Sequence, residues 1–238
     1  MRKLLLTMTV MIAVVCCTTN ADALDVKNRF MVSAGGGLGI PIGDFSDDDT
    51  SNASAGAAKI GPNFGIAVEY GVSEVVMIGG RFNFNRFGID EDYLHQTRED
   101  TVSADSTFVE GHWSVVEYFG VYVKALMLPG KTTRPYARAG LFLGKPTLKV
   151  TEAGNDLSGE YDVSLGLEAA LGVTHWVSPQ FGIGLEARFA HLNPSESDDD
   201  AQAVPAFRSA GVYGPKGVRD PGGNINWLAV NGYVTYGF

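Results

Sequence analysis

The chain is poor in cysteine, in basic charge and in long apolar runs. Its two cysteines, Cys16 and Cys17, both lie near the N-terminus, so no disulfide can staple the body of the chain. Lys and Arg number 18 against 27 Asp and Glu, for a formal net charge of -9. Phosphate backbones are bound by basic faces, so this balance argues against nucleic acid as a partner. Beyond the first residues no apolar run approaches the ~20 residues of a membrane-spanning helix. A closed β-barrel is not excluded by that, since it satisfies its own backbone and needs only about 9–11 residues per strand. The four histidines, His95, His112, His175 and His191, show no metal-ligand spacing. No G-x-S-x-G, H-E-x-x-H or phosphate-loop motif occurs. Neither a cofactor, a metal site nor catalysis is expected.

The N-terminus has a pattern of its own. Met1-Arg2-Lys3 leads into an apolar stretch, Leu4 to Val15, too short to span a bilayer, and then to Ala21-Asp22-Ala23. A basic start, a short apolar core and a small-x-small site make a secretory signal peptide, here residues 1–23. Residues 24–238 are then expected to form one domain without cysteine and with net charge -10. A lipoprotein would need a small residue before its modified cysteine, but Val15 precedes Cys16 and Cys16 precedes Cys17.

What remains alternates with a period of two. In residues 162–174, Val163, Leu165, Leu167, Ala169, Leu171 and Val173 share one parity; Asp162, Ser164, Gly166, Glu168, Ala170, Gly172 and Thr174 share the other. That is the pattern of a strand with one apolar face. The same pattern predicts strands over 30–40, 63–70, 75–87, 112–127, 135–150, 181–190 and 228–238, about eight in all. In 112–127 the expected polar face carries Tyr118, Gly120, Tyr122 and Lys124. The glycine-rich Gly35-Gly36-Gly37-Leu38-Gly39 lies within a strand, and no helix follows it to make a phosphate site.

Connections alternate too. Those at 71–74, 128–134 and 175–180 are short; those at 41–61, 88–107, 151–160 and 192–224 are mostly long and polar. Short turns at one end and long loops at the other mark an antiparallel up-and-down transmembrane barrel. Near mid-strand the polar parity carries Glu69, Arg81, Lys124, Arg138, Glu168, Glu186 and Arg188 among many glycines. Both signs are present, so these seven are the candidate charge network of a narrow lumen. Aromatic residues near strand ends form candidate girdles: Phe30, Tyr70, Trp176, Phe181, Tyr236 and Phe238 at one rim; Phe84, Phe87, Trp113 and Phe189 at the other. Periodicity alone does not say which parity faces outward.

The alternating strands and the ending Val234-Thr235-Tyr236-Gly237-Phe238 resemble the small outer-membrane β-barrel superfamily of the OmpA-transmembrane and OmpX type. The resemblance covers the region after residue 23. It implies a Gram-negative outer-membrane location, outer-membrane lipids and lipopolysaccharide as surroundings, and a monomer. It also implies that Val234, Tyr236 and Phe238 serve as the signal read by the barrel-assembly machinery. Gly232 interrupts that alternation.

Three functions follow as expectations. The first is a structural or surface-interaction barrel without catalysis. The second is a narrow, porin-like path for small solutes. The third is a lipid A-modifying enzyme. The string Phe189-Ala190-His191-Leu192-Asn193 is loosely similar to one deacylase group, but Asn193 stands where that chemistry needs a serine, and Ser195 lies beyond Pro194. The four long connections hold 18 acidic and 5 basic residues, with Asp47-Asp48-Asp49 and Asp198-Asp199-Asp200 prominent. Such carboxylates either hold Ca²⁺ or Mg²⁺ or simply keep the loops solvated, the latter being the simpler expectation.

Overall fold

Alternating bulky and small residues favour an extended chain, and the computed structural model is almost wholly strand. It describes residues 25–48, 56–90, 109–152, 155–194 and 224–238. The strands are β1 (Phe30–Ile42), β2 (Ala58–Lys59), β3 (Gly61–Gly71), β4 (Val76–Ile89), β5 (Val109–Leu126), β6 (Thr133–Glu152), β7 (Asn155–Glu160), β8 (Ser164–Trp176), β9 (Phe181–Leu192) and β10 (Ile225–Gly237). All pairings are antiparallel. β1, β3, β4, β5, β6, β8, β9 and β10 are the eight staves, each paired with its two neighbours. β10 returns to β1 from Met31↔Gly237 to Ile42↔Asn226, so the sheet closes and loses its edges. The Phe238 N–H donates to the Phe30 carbonyl at 2.9 Å and finishes the seam.

Burial settles which parity faces out. Leu165, Leu167 and Leu171 are 53–66% exposed, whereas Ser164, Glu168 and Ala170 of the other parity are buried. The same split holds on every stave. The apolar face points away from the barrel axis and the polar face points in. Such a surface suits hydrocarbon, and neighbouring staves pair their backbones around the whole wall, as a bilayer requires.

Short connections at 72–75, 127–132 and 177–180 share one end of the barrel, and the long ones share the other. Two sequence expectations need correction. Residues 151–160 are largely not a loop: β6 runs on to Glu152 and β7 turns back along it, pairing Thr147↔Glu160 to Glu152↔Asn155. On β5 the expected inward position of Tyr118 is wrong. A β-bulge between Glu117 and Phe119 adds one residue opposite β6 and β4, so Tyr118 and Phe119 both point outward and Glu117 points in.

The girdles also change. Phe30, Tyr70, Phe181, Tyr236 and Phe238 lie on the outward face at the short-turn end, and Phe84 and Phe189 on the outward face nearer the other. Phe30 and Tyr70 pack at 4.9 Å, Tyr236 and Phe238 at 5.0 Å. Trp176, Phe87 and Trp113 have inward parity and are buried inside the barrel. Their place near strand ends is not enough to make them girdle residues.

Candidate functional site

The interior is where the fold concentrates polar chemistry. It has three levels. At the long-loop end an apolar plug gathers Phe87, Trp113, Phe142, Leu192, Ile225 and Trp227 from five staves. Its keystone comes from a loop: a short 3-10 turn, Gly43–Ser46, drops Phe45 into the mouth, fully buried. The Phe45 ring stands edge-on to Phe87 at 5.2 Å and Trp113 at 5.7 Å. The loop is tied down by Trp113 Nε1 donating to the Gly56 carbonyl at 3.0 Å, and by Gly56 and Ala57 N–H groups donating to Asp44 and Asp47 carbonyls at 2.8 Å each. At the short-turn end a second plug joins Val26, Met31, Met77, Leu126, Tyr136 and Trp176. Val26 reaches it from the segment before β1, held where Asn28 N–H donates to the Gly71 carbonyl at 2.8 Å.

Between the plugs lie the charges. All seven residues singled out from the sequence (Glu69, Arg81, Lys124, Arg138, Glu168, Glu186 and Arg188) are more than nine-tenths buried on the inner wall. The bulge on β5 adds an eighth, Glu117, which the sequence reading missed. Four carboxylates therefore face four cations.

Glu117 is the hub. It accepts from Arg188 Nη2 at 2.8 Å and Nη1 at 3.1 Å, from Arg81 Nη2 at 3.0 Å, from Asn83 Nδ2 at 2.9 Å and from Asn85 Nδ2 at 3.0 Å. Asn63 Nδ2 in turn donates to Asn85 Oδ1. Glu168 pairs with Arg81 and with Arg188 Nη1, the latter at 3.4 Å. Nearer the short-turn end, Arg138 Nη2 meets Glu186 Oε1 at 2.7 Å, and the Tyr136 hydroxyl donates to Glu186 Oε2 at 2.8 Å. Glu69 receives Lys124 Nζ at 3.2 Å and the Tyr122 hydroxyl at 2.8 Å. Lys124 also sits 4.2 Å over the Tyr136 ring, and Arg138 4.5 Å over that of Tyr122.

The lumen glycines have a packing reason. The Phe142 ring lies over Gly166, where an added Cβ would come within 2.6 Å of ring atom Cε1, and the Tyr233 ring lies over Gly184. Inward rings cover bare backbone on the neighbouring stave, which lets large aromatics and long charged chains share a narrow barrel.

A polar cavity of about 60 Å³ remains beside β1 and β3, lined by Ser33, Glu69, Arg81, Tyr122, Lys124 and Asn231 among others. Small residues on those strands, Gly35, Gly65 and Ala67, leave the space. It has room for about four to six waters at ~10–15 Å³ each. The Asn231 Oδ1 on its wall has no hydrogen-bond partner within the protein.

Among the described residues no cluster of three metal-ligating side chains occurs. Asp47 and Asp48 are described; Asp49, Asp198, Asp199 and Asp200 lie outside the described residues, as does Ser195. His191 faces outward at the long-loop end with Nδ1 2.8 Å from Asn226 Oδ1. Val234, Tyr236 and Phe238 face outward at the short-turn end, 45–69% exposed. Residues 1–23 lie outside the described residues.

Residues 9–206 match the family model described as an outer membrane protein beta-barrel domain. Among solved structures, Neisserial surface protein A is 14% identical, with 88% of this chain and 97% of that chain covered at a TM-score of 0.48. The attachment invasion locus protein Ail of Yersinia pestis is 13% identical, with 89% and 99% covered at 0.48. The outer membrane protein OprG of Pseudomonas aeruginosa is 12% identical, with 92% and 99% covered at 0.44. Among curated proteins none matches.

Proposed function

The chain belongs to the outer membrane protein beta-barrel domain family, and on that premise we propose that it is a closed, non-catalytic barrel that holds long acidic loops at the cell surface. The observation that carries this reading is the layering of the interior. Two apolar plugs bracket a layer in which four buried carboxylates balance four buried cations. An ion moving along the axis would lose its hydration twice against apolar side chains, and would compete with ion pairs already formed. With its interior filled, such a barrel offers its surroundings only its outer wall and its loops. In this reading residues 1–23 are the removed signal peptide, Val234, Tyr236 and Phe238 are read by the assembly machinery, and outer-membrane lipids surround a monomer.

A second reading, a narrow path for small solutes, draws on the polar cavity beside β1 and β3. The cavity lies between the plugs, so this reading needs both plugs to move.

The test uses cells making the full chain. Ser103→Cys, in a long connection, should react with a membrane-impermeant maleimide on intact cells. Lys131→Cys, in a short turn, should react only after lysis. Replacing 195–223 by a short Gly-Ser turn should leave the barrel folded on gels and change only attachment of the cells to surfaces. On intact cells, labelling of the Lys131→Cys variant and not of the Ser103→Cys variant would overturn the reading.

A further inference from the structure

Sixteen Lys and Arg follow residue 23, and twelve of them lie among the described residues. Their distribution is uneven. Arg81, Lys124, Arg138 and Arg188 are inside the barrel, Arg134 is buried at its short-turn end, and Lys27, Arg29 and Lys131 lie at that rim. The remaining four, Lys59, Arg86, Lys145 and Lys149, all sit on one side of the outer wall at the long-loop end, on β2, β4 and β6. His112 of β5 lies in their midst. Among the described residues, the opposite wall, made by the long-loop ends of β8, β9, β10, β1 and β3, presents no Lys or Arg outward.

Three of these groups are strand neighbours. Lys149 is directly opposite His112 in the β5–β6 register. Gly88 is opposite His112 in the β4–β5 register, which puts Arg86 on the diagonal, and Arg86 Nη2 lies 3.4 Å from His112 Nδ1. Arginine only donates, so the imidazole accepts at Nδ1 and turns an Nε2–H outward. Arg86 and Lys149 are exposed. Glu110, exposed across from Thr151, borders the group. Lys59 already pairs with Asp90 at 2.8 Å and Lys145 flanks from below. Arg86 and Lys149 flank that neutral imidazole from the strands on either side, so an anion seated over His112 would meet a cation from each side and the Nε2–H between them.

Their height on the wall says which anion. Arg86 is two residues beyond Phe84 on β4, on the same outward row as the apolar band, and His112 and Lys149 stand on the outward rows of β5 and β6, four residues beyond Val116 and six beyond Leu143. Cations at that level meet headgroups, while a soluble polyanion would be met by the loops. We propose that Arg86, His112 and Lys149 form a binding site for the phosphate group of an anionic lipid in the leaflet at the long-loop end. The inference rests on the outer-membrane reading above and names the lipid chemistry that reading left general.

The test is native mass spectrometry of the refolded full chain in detergent, offered equimolar diphosphoryl lipid A and phosphatidylcholine. Each charge near an anionic surface is worth about 1 kcal/mol, so the Arg86→Ala/Lys149→Ala pair should weaken lipid A retention roughly 10- to 30-fold. Lys27→Ala/Lys131→Ala, at the other rim, should leave it unchanged. If the double variant fails to fold, Arg86→Gln and Lys149→Gln are read singly. Equal retention of both lipids by the unaltered chain, or undiminished lipid A retention by the variants, would overturn the site. So would displacement by excess inorganic phosphate, which marks a free-phosphate site, or tighter retention of a heparin fragment, which marks a soluble polyanion site. A heat-dependent gel shift, read on every sample, reports separately whether the barrel itself has formed.

Discussion

Arg188 on β9 and Glu117 on β5 meet across the lumen in a two-point ion pair, Nη2 to Oε1 at 2.8 Å and Nη1 to Oε2 at 3.1 Å, with both side chains fully buried. Their staves are separated by β6 and β8, so the pair is a strut between walls that do not touch. Truncating one partner of a buried pair leaves the other charge uncompensated, at a cost of about 3–5 kcal/mol. Glu117→Gln should therefore lower the unfolding free energy of the refolded barrel by that much, read from its denaturant midpoint. Adding Arg188→Met should recover part of the loss, because the orphaned guanidinium is gone. Equal stability of Glu117→Gln and the unaltered chain would show that the strut contributes nothing.

Gly166 and Phe142 make a steric prediction. A side chain at Gly166 must displace the ring above it. Gly166→Val should cost about 1–3 kcal/mol, the usual range for overpacking. Phe142→Ala should relieve most of the clash, so the two changes together should be less damaging than their sum. A double-mutant cycle with no coupling would contradict the ring-over-glycine packing.

The bulge on β5 can be tested by direction. A nitroxide at Tyr118→Cys in vesicles should be open to dissolved oxygen and shielded from a water-soluble nickel chelate, as a lipid-facing group is. Strict alternation would have put it inside, immobile and closed to both. The latter result would remove the bulge and, with it, the inward position of Glu117.

Much of this fold was legible along the chain, because a barrel wall writes its two faces as alternate residues. The seven charges near mid-strand stood out for the same reason. Glu117 did not, since one extra residue at the bulge reverses the parity from there towards the start of β5. A signal was present: Tyr118 and Phe119 are consecutive bulky residues where alternation asks for one. Which charge meets which was not readable, because Glu117 and Arg188 are 71 residues apart and join through the lumen. Nor was the plug role of Phe45, whose loop folds back into the mouth through backbone hydrogen bonds that leave no residue-type pattern.

Phe45 should hold its loop. Losing a buried Phe side chain costs about 3–5 kcal/mol, and here the loss falls on the loop that carries it. Phe45→Ala should speed amide exchange at Gly56 and Ala57 by roughly two to four powers of ten, while amides in β9 and β10 keep their protection. Unchanged exchange at Gly56 and Ala57 would mean the loop is held by something else.

Phe238 closes the seam through its own N–H to Phe30, and its ring packs on Tyr236. Deleting it should reduce the amount of heat-modifiable barrel in outer-membrane fractions. Normal assembly without it would separate the ending from delivery.

The central claim is that the lumen is shut at both ends. Single-channel recording of the refolded full chain in a planar bilayer tests it most directly. The closed, charge-balanced interior predicts a flat trace without conductance steps in monovalent salt. Reproducible steps of constant size from the unaltered chain would contradict it and favour a solute path through the cavity beside β1 and β3.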